Sequence, residues 1–76
     1  MSEPVRVVDT RGQPCPMPVI ELAKAVDLLD VGEVVELVSD DATSKVDIPV
    51  WCRMRRQTLL STEEHDGVWH FLVQRM

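Results

Sequence analysis

The chain has 76 residues, enough for one domain over 1–76 and too few for two. Hydrophobic residues make up 45% and charged residues 28%, a balance that excludes a disordered chain. Thirteen acidic against eight basic residues leave a net charge of -5, which argues against direct nucleic-acid contact. Val5-Arg6-Val7-Val8-Asp9 is short and β-branched and stops at Thr10-Arg11-Gly12-Gln13-Pro14, as a strand running into a loop does. From Pro16 the period changes. Val19, Leu22, Ala23, Val26 and Leu29 fall on one side and Glu21, Lys24 and Asp27 on the other, which predicts an amphipathic helix. Pro16 fits its first position, and Gly32 near Asp30-Val31 fits its end. Residues 33–39 read as a second strand, and a strand, helix and strand in this order make a parallel βαβ unit.

Residues 40–44 read as a polar loop, and Asp47-Ile48-Pro49 reads as the start of a second helix, where proline is tolerated. Ile48, Trp51, Cys52 and the stem of Arg55 would share one face. Residues 58–63 and 68–73 flank His65-Asp66-Gly67, and an Asp-Gly between two β-rich runs signals a hairpin. The expected fold is α+β: a two-layer α/β sandwich, βαβαββ, with a four-stranded mixed sheet and two helices on one face.

Cys15-Pro16-Met17-Pro18 carries the chemistry. It places a cysteine at or just before a helix N-terminus, where the dipole and free N–H groups favour an anion. A thiol so placed is expected to be partly thiolate, the reactive form. Arg11 would add a positive charge if the loop folded back toward the sulfur. The position three residues after Cys15 is Pro18, so a Cys-x-x-Cys oxidoreductase is excluded. The histidines, His65 and His70, belong to the distal hairpin, so no base is evident for a cysteine hydrolase. A lone activated thiol suits transfer of sulfur as a persulfide to another protein. By position alone, Cys15 equally fits a buried structural role beside a proline-bracketed helix start.

The run from Asp9 to Pro18 resembles the signature of the TusA/SirA-like sulfur-carrier proteins: an Asp, a Gly, then Cys-Pro-x-Pro opening the first helix. The likeness continues through Gly32-Glu33, Asp40-Asp41, Asp47-Ile48-Pro49 and Trp51-Cys52 to the apolar final strand. The resemblance implies the βαβαββ fold and a persulfide relay in which Cys15 bears the sulfur. It makes Asp9, Arg11, Gly12, Pro16 and Pro18 the motif that positions Cys15, and matches Asp40 and Asp41 to an acidic loop. The implied partners are a cysteine desulfurase or other sulfur donor protein and a downstream acceptor protein. The end use would be tRNA thiolation, sulfur oxidation or molybdenum-cofactor assembly. Two departures stand out: Gln13, where an apolar residue is common, and Arg55-Arg56-Gln57, where many members have a Gly-His-type pair.

Cys52 reads as a small buried hydrophobe, with a second sulfur site or a resolving thiol as the alternative. The cysteines and histidines lack the paired short spacings of a zinc site, so no metal and no cofactor are expected. Residues 1–50 hold ten acidic and four basic residues, whereas 51–76 hold three and four, including Arg53, Arg55 and Arg56. Those arginines read as a solvated face or, alternatively, a docking patch, to which Met17, Asp40 and Asp41 would contribute. Met17 would otherwise pack and shield a persulfide from water, while Trp69 packs.

No apolar run approaches the ~20 residues that span a bilayer. Met1-Ser2-Glu3-Pro4 has neither the basic nor the apolar part of a signal peptide. The expectation is a cytoplasmic monomer with reduced cysteines and no membrane contact. The function expected is sulfur transfer. The alternatives are a non-catalytic interaction module and a redox sensor pairing Cys15 with Cys52.

Overall fold

The computed structural model describes residues 3–76. Strand β1 (Arg6–Asp9), helix α1 (Met17–Asp27), strand β2 (Val34–Ser39), helix α2 (Ser44–Met54) and strands β3 (Thr58–His65) and β4 (Val68–Gln74) follow one another along the chain. The sheet order is β1-β2-β4-β3. β1 runs parallel to β2, as a crossover through α1 requires, and the other pairings are antiparallel.

Strand alternation separates the two faces of this sheet. Val35 and Leu37 of β2 pair with Val73 and Phe71 of β4, and all four are fully buried. Val8 and Leu59 extend that face onto β1 and β3 and pack against the core. Leu22, Ala25 and Val26 of α1 and Ile48 and Cys52 of α2 complete the same cluster, so both helices cover one face. The observed architecture is the expected α+β fold with a four-stranded mixed sheet.

The hairpin between β3 and β4 closes through Asp66 and Gly67, both at positive φ (54° and 80°). That is the conformation a two-residue turn needs, and Asp-Gly adopts it at low cost.

Three boundaries differ from expectation. α1 begins at Met17, with Pro16 as its N-cap and Pro18 inside the first turn. The backbone of Pro16 is not yet helical, but its carbonyl accepts the N–H of Ile20 at 3.1 Å. α1 ends at Asp27, well before Gly32, because Leu28 and Leu29 turn their N–H groups back onto Ala25 and Val26. Arg75 then caps the carbonyls of Val26 and Asp27, each at 3.2 Å, and that of Leu29. Gly32 (φ 91°) serves instead the turn into β2, its N–H reaching Arg75 O at 2.7 Å.

α2 begins at Ser44, ahead of Asp47, and holds Pro49 in its interior. The carbonyl that Pro49 leaves without an intrahelical donor belongs to exposed Lys45, in the first turn. Arg55 is the C-cap of α2 and exposed, so its stem does not join the face formed by Ile48 and Cys52.

Candidate functional site

The loop between β1 and α1 is fastened at its start by Thr10. This residue is fully buried, and both its N–H (2.8 Å) and its Oγ1 (2.6 Å) donate to Val38 O on β2. Gly12 turns the chain at φ 81°, a conformation costly for a residue with a Cβ, and donates its N–H to Asp40 at 3.0 and 3.1 Å. The N–H of Cys15 donates to Asp41 Oδ2 at 2.7 Å. Cys15 is exposed, just ahead of α1.

Asp41 does more than hold this amide. Its Oδ1 accepts the N–H of Thr43 at 2.9 Å and the hydroxyl of Thr43 at 2.8 Å. Its backbone carbonyl accepts the N–H (3.0 Å) and Oγ (2.6 Å) of Ser44. One residue therefore ties the cysteine loop to the start of α2. The Thr43 N–H, then its hydroxyl, then the Cys15 N–H hold the Asp41 carboxyl below the usual range.

The sulfur itself faces Asp47. Cys15 Sγ donates to Asp47 Oδ2 at 3.0 Å across 32 residues of chain. That hydrogen bond, followed by desolvation, raises the thiol above its ordinary pKa, and the charges of Asp47 and Asp41 add to the rise. The nearby Thr43 side chain opposes it without reversing it. This direction runs against the expected thiolate, because the carboxylate beside the sulfur favours the protonated thiol.

Arg11, which would add a positive charge at the sulfur if the loop folded back, is engaged by another carboxylate. Its guanidinium is held by the Asp9 carboxylate, Nε at 3.0 and 3.1 Å and Nη2 at 2.7 Å. This pairing keeps the Asp9 carboxyl down at about 2. Asp9 and Arg11 thus stabilise the loop as a pair.

Pro16, Val19, Asp47, Val50, Trp51 and Met54 line an apolar groove between the helices, about 290 Å³ in volume. Asp47 belongs both to this groove and to the sulfur's surroundings. Met17 is half-buried beside the site, whereas Arg53, Arg55 and Arg56 are exposed around the end of α2. Asp40 and Asp41 direct their carboxylates at loop amides.

Cys52 is only 2% exposed, and burial pushes its thiol up to about 11. It lies in the core cluster with Ile48, as a small apolar side chain would. His70 pairs in register with Val38, on the sheet face opposite Phe71, and contacts Glu36 at 3.0 Å. The His65 and His70 rings meet edge to face with centroids 5.8 Å apart. Both histidines line a separate hollow with Glu36, away from the helix-covered face that carries Cys15. Among the described residues, no group of three or more His, Cys, Asp and Glu is arranged to hold a metal ion.

Sequence reasoning missed Asp47 and Thr43 at the sulfur. Asp47 was legible as an acid at a helix start and as part of the resemblance, but its approach to Cys15 depends on how α1 and α2 pack.

The chain is similar to known proteins along nearly its whole length. The family model described as Sulfurtransferase TusA matches residues 6–75. A protein of Archaeoglobus fulgidus, provisionally named a sulfur carrier protein, is 37% identical over 92% of this chain and 96% of its own. The provisionally named sulfur carrier protein YrkI of Bacillus subtilis is 29% identical over 92% of this chain and 93% of its own. The crystal structure of a SirA-like protein from Desulfitobacterium hafniense superposes with a TM-score of 0.82 at 28% identity, covering 92% of this chain and 96% of that one.

Proposed function

The chain belongs to the TusA family of sulfurtransferases, and from that membership we propose that it accepts sulfane sulfur as a persulfide on Cys15 and relays it to a partner protein. The observation that carries this reading is the presentation of Cys15. Its backbone N–H is held by Asp41, the residue is exposed, and Asp47 at its side also lines an apolar groove. A thiol on an exposed residue is suited to a partner that supplies the walls around it. Asp9, Arg11, Gly12, Pro16 and Pro18 position the cysteine in this reading. Met17, Asp40, Asp41, Arg53, Arg55 and Arg56 are candidates for partner contact.

The donor is a cysteine desulfurase or another protein persulfide, and the acceptor a downstream sulfur-using protein, as in tRNA thiolation or sulfur oxidation. The net charge of -5 favours protein partners over direct nucleic-acid contact. Membrane attachment is not invoked, and among the described residues no helix is long and apolar enough to cross a bilayer. Burial of Cys52 disfavours the redox-sensor alternative, in which Cys15 and Cys52 would have to meet.

Incubation with a cysteine desulfurase and cysteine, followed by intact-mass measurement, tests the proposal. The wild-type chain should gain the mass of one sulfur atom and Cys15→Ser none. No gain in the wild type, or equal gain in both, overturns it.

A further inference from the structure

We propose that Asp47 is the proton-accepting partner of Cys15: its carboxylate holds the thiol hydrogen in the unloaded protein, takes it as sulfur arrives, and returns it to the departing donor thiolate. This rests on the carrier reading and adds a residue to it.

The geometry carries the inference. Asp47 Oδ2 lies 3.0 Å from Cys15 Sγ, the reacting atom, and within the reach that proton transfer requires. Asp47 sits in the first turn of α2, so its position is fixed by a regular element and by the N–H of Asp47 bonding Thr43 O at 3.0 Å. The groups that bear on the sulfur are Asp47 from α2, and Asp41 and Thr43 from the segment before α2. Two are carboxylates and none is basic. The nearby cation that would favour a thiolate, Arg11, is held by Asp9. The histidines lie on the other side of the sheet. Asp47 therefore occupies the place that a histidine base has in a cysteine hydrolase, with the opposite effect at rest: a carboxylate keeps the thiol protonated. Asp47 also lines the apolar groove that adjoins Cys15, so it borders the space a donor would enter.

The step balances without an oxidant. The donor is a persulfide, R–S–SH. Cys15 Sγ attacks its outer sulfur, an Sγ–S bond forms, and the donor's S–S bond breaks with its electron pair on the inner sulfur. The Cys15 proton passes to Asp47 Oδ2 and then to that thiolate. The products are Cys15–S–SH and R–SH, and Asp47 is again a carboxylate. A thiol kept protonated in the empty carrier resists alkylation and oxidation, since the thiolate is the form that reacts.

The test sets two reactions of Cys15 against each other in the wild type and Asp47→Asn, which keeps the side-chain shape and removes the charge. The first is alkylation by iodoacetamide followed across pH by intact mass. The second is sulfur uptake from cysteine persulfide, a donor that needs no docking surface. Asp47→Asn should shift the alkylation midpoint to lower pH and speed alkylation at pH 7 at least about threefold. The same variant should take up sulfur at least about tenfold more slowly. Opposite changes are a signature that a merely structural role does not produce, and Cys52 guards against unfolding, since a folded variant acquires one alkyl group and an unfolded one two. Asp47→Glu, which keeps the carboxylate, should retain the high alkylation midpoint. An unshifted midpoint in folded Asp47→Asn, or sulfur uptake that rises together with alkylation, overturns the proposal. Wild type that takes up no sulfur from cysteine persulfide fails the carrier reading itself.

Discussion

The smallest scale at which the site is assembled is the single carboxylate. Asp9 and Asp41 each hold a separate part of the cysteine loop, and each titrates below an ordinary aspartate for a different reason. Asp9 is lowered to about 2 by its hydrogen bonds and charge pairing with Arg11. Asp41 is lowered by two donors from Thr43 and one from Cys15. Because both folded pKa values lie below the ordinary aspartate value of 3.8, their contributions to loop order are complete above it and fade as pH falls through the folded values. A carbon-13 carboxyl titration should therefore place the Asp9 midpoint near 2, with Arg11→Ala returning it toward 3.8. The resemblance flagged Asp9 and Arg11, but their mutual pairing was hidden in the sequence, where Arg11 looked equally able to serve the sulfur. Gln13 shows the reverse. Its departure from the apolar residue common in the family was plain in the sequence, and its consequence is structural: Oε1 is buried with no hydrogen-bond partner. An unsatisfied buried acceptor costs about 1–3 kcal/mol, so Gln13→Leu should raise stability by about 1 kcal/mol in a denaturant melt. A loss of stability would show that the amide contributes a contact the apolar side chain cannot replace.

Among the elements, those set by local chemistry were readable and those set by distant partners were not. The β3–β4 turn follows from Asp66-Gly67 alone, and the inward face of α1 follows from the spacing of Leu22 and Val26, although Ala25 is buried beside them where Ala23 was expected and Ala23 is only half-buried. The end of α1 does not, because Arg75 supplies its cap from 46 to 49 residues away. Likewise α2 starts earlier than Pro49 suggested, because Asp41, ahead of the helix, accepts the N–H of Thr43 and the hydroxyl of Ser44. The same distance rule hid the Cys15–Asp47 contact, which spans 32 residues. Arg75 gives this argument a measurable form. A cation at a helix C-terminus is favoured by the dipole, and here one guanidinium nitrogen serves three carbonyls. Arg75→Ala should lower stability by about 1–2 kcal/mol and speed amide exchange in the last turn of α1 ahead of the sheet. Uniform acceleration across all elements would mean that Arg75 acts on global stability without a local role at the helix end.

For the whole molecule, the deciding quantity is how little core there is to lose. Stability of about 0.05–0.15 kcal/mol per residue gives a 76-residue chain roughly 4–11 kcal/mol. Among the described residues that core joins ten buried side chains, from the two helices, from Leu29 in the turn after α1, and from the two central strands, β2 and β4. Phe71 is its largest fully buried side chain and sits opposite Leu37 in the sheet register. Removing a buried phenylalanine ring costs about 3–5 kcal/mol, which is comparable with the lower end of the total. Phe71→Ala should therefore lose most of its folded population in mild denaturant, and its melt should move to much lower temperature. Leu72, the next residue on β4, points to the opposite face beside Glu36 and His70 and is only half-buried. Leu72→Ala should cost about 1–2 kcal/mol, because less apolar area leaves contact. The site links this difference to function, since Cys15 and Asp47 meet only while α1 and α2 lie on the same core. In a series of core variants, sulfur uptake should fall in proportion to the folded fraction, and alkylation of Cys52 should rise as that fraction falls. A variant that keeps a cooperative melt but loses the Cys15–Asp47 signature would locate the weakness in the helix pair and spare the sheet.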